Sequence, residues 1–389
     1  MKLRSSVVLL SSMIALALTG CGKQEAASGG DTIKIGMVAP LTGPQSHIGQ
    51  DIKNGTLLGI EDINAQGIEI GGKKVKFELM AEDDEANPAK ATTVAQKLAD
   101  AKVAAVVGHF NSGCSIPASK VYADAGIPQI SPGSTNPRYT QQGYATTFRV
   151  VANDDQQGPA GATYALNTLK VKKVAVIDDG TSYGQGLANA FEKSVRAAGA
   201  TVVAVEHTTD KDSDFTAILT NIKSKAPDLI FFGGLDPQAG PMLKQMQGLG
   251  ITAKLMGGDG IQTPNLITLA GAAAEGTIAS IPGLPKDKMP GGNAFLEKFK
   301  KRFNADVELF APMGYDAVFV LAEAMKKAGS TESAKVLAEL KKIQINGVAG
   351  PIAFDDKGDI KNGPITINVV KDGKWVPVET ITGTAPAAK

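Results

Sequence analysis

The chain is poor in cysteine, histidine and aromatic residues. Its 389 residues hold two cysteines (Cys21 and Cys114), three histidines (His47, His109 and His207), one tryptophan and 5% aromatics overall. Histidines and cysteines so widely scattered have no metal-ligand spacing, and no metal is expected. There is also no long run of one charge. Forty Lys+Arg against thirty-nine Asp+Glu leave a formal net charge of +1, which recommends neither nucleic acid nor an acidic surface as a partner. Beyond the first twenty residues no apolar run is long enough to cross a membrane. No G-x-G-x-x-G follows an expected strand, and no cofactor is expected.

The N-terminus carries the first positive signal. Lys2 and Arg4 precede an apolar run over residues 7–18 that is too short for a stable span but suits a signal peptide. Leu18-Thr19-Gly20-Cys21 then resembles the bacterial lipobox, in which the chain is cut before a cysteine whose sulfur carries a diacylglycerol. The expectation is a signal peptide over 1–20, a lipid on Cys21, and a flexible tether over 21–31 rich in Gly, Ala, Ser, Glu and Gln. The protein would then be exported to the periplasm or cell surface, held to a bacterial membrane by lipid and otherwise soluble. With Cys21 modified, Cys114 is the only remaining thiol, so no internal disulfide is available and the core alone holds the fold. A hydrophobic content of 43% over this length suffices, and the length suggests two domains.

Short apolar runs alternate with amphipathic segments along most of the chain. Residues 33–38, 75–80, 103–107 and 129–130 read as strands, with helices over 51–64, 87–101 and 116–125. A second series places strands at 174–177, 201–205, 229–232 and 254–256, and helices at 186–198, 215–224 and 241–249. Later helices are expected over 312–328 and 332–342, and strands over 352–354 and 365–370. Near-continuous apolar strands alternating with helices predict α/β architecture, with parallel sheets covered on both faces, in two similar lobes.

Three local motifs invite catalytic readings. Gly180-Thr181-Ser182-Tyr183-Gly184 fits the G-x-S-x-G nucleophile elbow, but the acid and histidine should follow the serine. Only His207 follows, with no aspartate between it and Ser182; of the glutamates there, Glu192 falls within an expected helix and Glu206 adjoins the histidine, so a hydrolase is not expected. Residues 67–74 come near a P-loop, yet Lys74 stands where Ser or Thr is required and the segment leads into a strand, so a surface turn is expected. The acidic run Glu82-Asp83-Asp84-Glu85 lacks the glycine and distal glutamate of a calcium loop. It reads as a solvated strand end, with one acid able to cap the helix near Asn87-Pro88.

Two other loops suit a small polar molecule. Residues 108–115 and 131–137 follow strands and offer hydroxyls and free backbone amides where open α/β sheets bind ligands. Helix N-termini there favour a carboxylate, although for any single serine capping a helix is the commoner role.

The order of segments resembles the leucine/isoleucine/valine-binding proteins, type I periplasmic solute-binding proteins of branched-chain amino acid ABC importers. The resemblance rests on Ile33-Lys34-Ile35-Gly36 followed by Leu41-Thr42-Gly43-Pro44, on Asp62-Ile63-Asn64-Ala65-Gln66-Gly67, Gly108-His109 and Pro117-Ala118-Ser119. It continues through Gln157-Gly158-Pro159, Tyr183-Gly184, Met256-Gly257-Gly258-Asp259-Gly260 and Gly350-Pro351-Ile352-Ala353-Phe354-Asp355. It implies a two-lobed type I fold with three hinge crossings, placed at 151–153, 281–283 and 354–356. The N-terminal lobe would be 32–152 plus 283–355, and the C-terminal lobe 153–282 plus 356–389. By the same resemblance Ser112, Gly133, Ser134 and Thr135 hold the carboxylate of an amino acid. Tyr183 and Asp259 close on it from the other lobe, Asp259 taking the ammonium, and Ile48, Phe110, Leu235, Gly260 and Phe310 line the side-chain pocket. The implied partners are a small amino acid ligand (leucine, isoleucine or valine) and the membrane permease of an ABC importer.

This chain departs from the pattern at three points. Ile48 and Leu235 stand where well-known relatives carry tyrosines, Asp259 stands for a glutamate, and Ala86 and Asn111 occupy the places of the family disulfide. The pocket is therefore more aliphatic and its acid one methylene shorter, which leaves another small amide or carboxylate solute open. The rival of a different class is a ligand-sensing receptor domain, which would need a transmembrane or signalling segment not seen here. Enzymatic activity is not expected.

Overall fold

The structure, a computed structural model, describes residues 31–382. The expected signal peptide, Cys21 and the tether up to residue 30 lie outside the described residues.

The first lobe is built on strands β1 (Asp31–Ala39), β2 (Glu69–Ile70), β3 (Lys73–Asp83), β4 (Ala105–Gly108), β5 (Gln129–Ser131) and β6 (Thr147–Arg149), in sheet order β2-β3-β1-β4-β5-β6. All pairs are parallel except the β2–β3 hairpin, whose turn is the one expected over 67–74. Helices α1 (Ser46–Gln66), α2 (Pro88–Asp100), α3 (Ser112–Asp124) and α4 (Arg138–Gln141) connect them. Asn87 caps α2, its Oδ1 accepting from the N–H groups of Ala89 and Lys90, which satisfies donors the helix itself cannot pair.

The second lobe carries helices α5 (Asp154–Asn167), α6 (Ser182–Ala197), α7 (Thr216–Ser224), α8 (Asp236–Gly248) and α9 (Pro264–Ala270) around strands β7 (Lys173–Asp178), β8 (Thr201–His207), β9 (Leu229–Gly233), β10 (Lys254–Gly257) and β11 (Ile278–Ile281). These five strands pair in parallel. The chain then returns to the first lobe as α10 (Gly292–Phe303), α11 (Ala311–Ala328), α12 (Ser333–Leu340) and the hairpin β12 (Gln344–Asn346) and β13 (Pro351–Ala353). It ends in the second sheet with β14 (Ile365–Lys371) and β15 (Lys374–Ile381), in the order β15-β14-β11-β10-β9-β7-β8. Both late strands are antiparallel, so the wholly parallel expectation holds for the centre of this sheet and not its edge. The chain thus passes between lobes three times. The sheets' inner strands are buried throughout, as in Leu229–Gly233, because helices cover both faces.

The return is secured by close helix packing. A Cβ on Gly55 of α1 would lie 2.0 Å from the Ala311 carbonyl oxygen at the start of α11, so only glycine permits this approach. Asp51, one turn earlier, accepts from the N–H groups of Glu308, Leu309, Phe310 and Ala311. It supplies acceptors for the otherwise unpaired first turn of α11.

The acidic run differs from expectation. Asp84 is fully buried, its Oδ2 2.7 Å from His109 Nδ1, while His109 Nε2 meets the Tyr122 hydroxyl at 3.1 Å. A charged residue type at a strand end is commonly solvated, but here the histidine of the next loop covers it. Asp83 accepts from the Leu41 N–H at 2.8 Å and from the Thr42 hydroxyl.

Candidate functional site

The site lies where the C-terminal ends of strands from both sheets face each other. From the first lobe come the loop from β4 into α3 and the loop after β5. From the second come the turns after β7, β9 and β10. A small cavity between them is lined by Phe110, Asn111, Ser112, Gly133, Tyr183, Leu235, Asp259 and Gly260. Its free space is about 10 Å3, on the order of one water. The lobes are therefore shut, and one apolar cluster runs across the interface, joining Ile48, Phe110 and Phe310 to Tyr183, Leu187 and Leu235. Asn136 Nδ2 also donates to the Ser182 carbonyl at 2.5 Å across the gap.

On the first-lobe side, Ser112 opens α3, and its Oγ accepts from the Asn136 N–H at 3.2 Å. The unpaired N–H groups of the first turn of α3 give this wall a partial positive charge suited to a carboxylate. Gly133 faces the cavity beside Phe110. A Cβ there would come within 2.5 Å of the Phe110 ring, so the loop can sit this close only as glycine. Ser131 and Ser134 hold the two loops together. The Ser131 hydroxyl donates to His109 O at 2.7 Å and accepts from the Ser134 N–H, and the Ser134 hydroxyl donates to Phe110 O at 2.8 Å. Behind them the fully buried Arg149 donates to the carbonyls of Ser134 and Asn136.

On the second-lobe side, Asp259 follows β10 and is 2% exposed. Its Oδ1 accepts from the Tyr183 hydroxyl at 3.1 Å and from Gln157 Nε2 at 2.8 Å. The same tyrosine oxygen accepts from the Gly260 N–H at 3.0 Å. Burial pushes the Asp259 carboxyl up to about 6 against those stabilising bonds. Burial and then the neighbouring Asp259 charge raise Tyr183 well above its ordinary range, which keeps its hydroxyl a donor.

The cavity brings together Ser112, Gly133, Phe110, Tyr183, Leu235, Asp259 and Gly260 from the expected set. It does not include Ser134, whose hydroxyl is taken up in holding the loops, nor Thr135, which is buried beside Asp154. Ile48 and Phe310 stand behind the wall, Phe310 edge-on to Phe110 with ring centroids 5.0 Å apart.

Sequence reasoning missed two polar groups beneath the site. Asp154, at the start of α5, is fully buried, and Gln157 Nε2 reaches both its Oδ1 (3.4 Å) and that of Asp259. Burial, then the charge of Asp259, raise the Asp154 carboxyl well above its usual value. The acids in Asn153-Asp154-Asp155 are a fair helix-start signal, but without the neighbouring strand and helix they had no context.

Among the described residues no group of three or more His, Cys, Asp or Glu could hold a metal ion. In the Gly180–Gly184 turn Tyr183, not Ser182, lines the cavity, and His207 pairs with Asp178 with its ring exposed. Burial holds the Cys114 thiol far above its ordinary value and so protonated.

Comparison with known proteins gives a consistent answer. A family model described as periplasmic binding protein matches residues 32–374. The chain is 40% identical over 332 residues to an amino acid binding protein of Pseudomonas aeruginosa, covering 85% of this chain and 87% of that one. It is 33% identical over 353 residues to the leucine-, isoleucine-, valine-, threonine-, and alanine-binding protein of the same species, covering 91% and 93%. The fold is similar to that of a branched-chain amino acid transporter substrate binding protein of Streptococcus pneumoniae solved in complex with isoleucine. The TM-score is 0.83 at 30% identity, over 90% of this chain and 100% of that one.

Proposed function

This chain belongs to the periplasmic binding protein family, and on that footing we propose that it captures a small aliphatic amino acid between its lobes and delivers it to the permease of an ABC importer. The observation that carries this reading is the arrangement around Asp259. A buried carboxylate with Tyr183 beside it faces, across an aliphatic and aromatic wall, a helix N-terminus bearing Ser112. That is opposite charge at the two ends of a short molecule, as an amino acid zwitterion requires. Asp259 and Tyr183 receive the ammonium, Ser112 and the Gly133 loop receive the carboxylate with Ser134 and Thr135 supporting that loop, and Phe110 and Leu235 contact the side chain. Mass spectrometry of small molecules released from denatured purified protein tests this. Leucine, isoleucine or valine is expected, and recovery of only non-amino-acid solutes would sink the assignment.

We place the lobes at 32–152 with 283–355 and at 153–282 with 356–389, with one adjustment. Phe354 bridges to Ile360 and Asp359 pairs with Arg149, so the third crossing is better set after residue 360. Because the site is divided between the lobes and this closed form leaves almost no room, loading needs an open state, which the ligand then shifts toward a closed form wide enough to hold it. Small-angle scattering should give a smaller radius of gyration with saturating isoleucine than without. An unchanged profile counts against hinge closure.

The same reading makes Cys21 the membrane attachment of an exported lipoprotein. A Cys21→Ser variant should lose incorporation of a fatty-acid analogue while its affinity for amino acid is unaltered. Equal labelling of the variant and the natural chain would remove the anchor from the proposal. Each buried methylene of the lipid contributes about 0.8 kcal/mol, so several chains on one cysteine hold firmly.

A further inference from the structure

We propose that His47 and Asp236 form an acid-strengthened latch between the lobes, which sets ligand affinity without touching the ligand. The proposal rests on the reading that lobe closure accompanies binding. His47 lies in the first turn of α1 on one lobe, and Asp236 opens α8 on the other. His47 Nε2 stands 3.0 Å from Asp236 Oδ2 and 3.8 Å from Glu308 Oε2. Asp236 is fully buried. Its Oδ2 accepts from the Thr263 hydroxyl at 2.7 Å and Asn265 Nδ2 at 2.9 Å, both neutral, and its Oδ1 has no hydrogen-bond partner. A buried carboxylate held by neutral donors gains strongly from one opposing charge, and within ion-pair reach that charge comes from His47.

The groups that face His47 are fixed by packing. Glu308 is held in place because Asp51 of α1 binds the backbone of 308–311. Lys286, whose Nζ donates to the Val307 carbonyl, faces both Asp51 and Glu308. Burial pushes the carboxyl of Glu308 up to about 7 and raises that of Asp51 as well. Burial opposes a charge on His47, but the carboxylate of Asp236 within ion-pair distance, with Glu308 behind it, outweighs this and raises its pKa. As pH falls through about 7 Glu308 takes up a proton, which leaves Asp236 as the principal partner.

Opening the cleft separates α1 from α8. His47 then loses Asp236, and its pKa returns toward the ordinary value. The stabilisation of the closed form is therefore complete below that ordinary value and is lost as pH rises through the raised one. Acid should shut the lobes, and alkali should ease them apart.

Small-angle scattering of the ligand-free full chain at about pH 5.5 and about pH 8, either side of the histidine range, tests the latch directly. The natural chain should be more compact at the lower pH, and His47→Gln and Asp236→Asn should show a clearly smaller change, the part left to the buried cleft carboxyls Asp154 and Asp259. Isoleucine titrations on the same proteins should show the ratio of affinity at the lower to that at the higher pH about three- to tenfold larger in the natural chain than in either variant, the variants keeping only the response of Asp259, whose carboxyl takes up a proton at about pH 6. Neither residue lines the ligand cavity, so binding at the higher pH should be retained in His47→Gln. An undiminished acid response in His47→Gln, or none in the natural chain, overturns the proposal. A natural chain that compacts in acid, through His47, yet binds no isoleucine supports the latch and counts against the amino acid reading alone.

Discussion

Asp259→Ala should weaken binding of the native amino acid by about 3–5 kcal/mol, a loss of roughly a hundred- to several-thousand-fold. In the closed cleft the ammonium gives up its water and must meet a fixed negative partner. In the proposed reading Asp259 is that partner, buried and aimed by Tyr183 and Gln157. Its removal strands a positive charge in an apolar cavity, which costs far more than one hydrogen bond. Ser112→Ala, which deletes one hydroxyl among several donors to the carboxylate, should cost less, about 1.5–3 kcal/mol. Calorimetric titration of both variants decides the ranking. A fall of less than about fivefold for Asp259→Ala would leave Asp154, its buried neighbour, as the carboxylate to test next.

The second large effect is on stability. Asp359→Ala should destabilise the fold by about 3–5 kcal/mol, because it leaves a buried guanidinium unpaired. Arg149 Nε donates to Asp359 Oδ1 at 2.6 Å, and the same carboxylate accepts from the Thr140 hydroxyl and Asn153 Nδ2. The guanidinium also lies over the Tyr139 ring, 5.2 Å from its centroid. Urea unfolding should show a clearly lower midpoint for this variant. Asp124→Ala, which breaks the exposed pair with Lys120, should leave the midpoint nearly unchanged. Since Arg149 also holds the Ser134 and Asn136 carbonyls, the variant should bind ligand less tightly even where it remains folded. Equal midpoints for the two variants would mean that solvent reaches Arg149.

What the sequence made legible follows from how much of each signal is local. The strand at Leu229–Gly233 stands out because a run of large apolar residues has few other uses, and α2 because Asn87-Pro88 marks its start. Helices α3, α6 and α8 begin several residues before their expected starts. Their first turns, Ser-Gly-Cys, Ser-Tyr-Gly and Asp-Pro-Gln, carry the small and capping residues that otherwise mark loops. Those turns are the ones that face the cleft. Helix α5 was hidden more completely, since Gly158, Pro159 and Gly161 disguise it. A Cβ on Gly158 would lie 2.6 Å from Ala190 of α6, so that glycine answers to a neighbouring helix rather than to its own. With α5 went Asp154 and the role of Gln157. The serine-rich loop after β5 was recognisable as a polar strand end. Which of its hydroxyls face the cavity depends on Arg149 and, through it, on a residue 210 positions away, which no local pattern contains.

That same separation bears on how the protein reaches its folded state. The first lobe closes only when α1 receives α11, some 260 residues later, through Asp51 and the Ala311 N–H, and when Arg149 receives Asp359. Such contacts carry a large loop-closure cost before any of them is rewarded, so the lobe should assemble slowly and late. Its first hundred and fifty residues, though rich in strands, have no α11 or Asp359 to pack against as they leave the ribosome. A chain with this topology stays threadable through most of its synthesis, which would suit the export proposed for it.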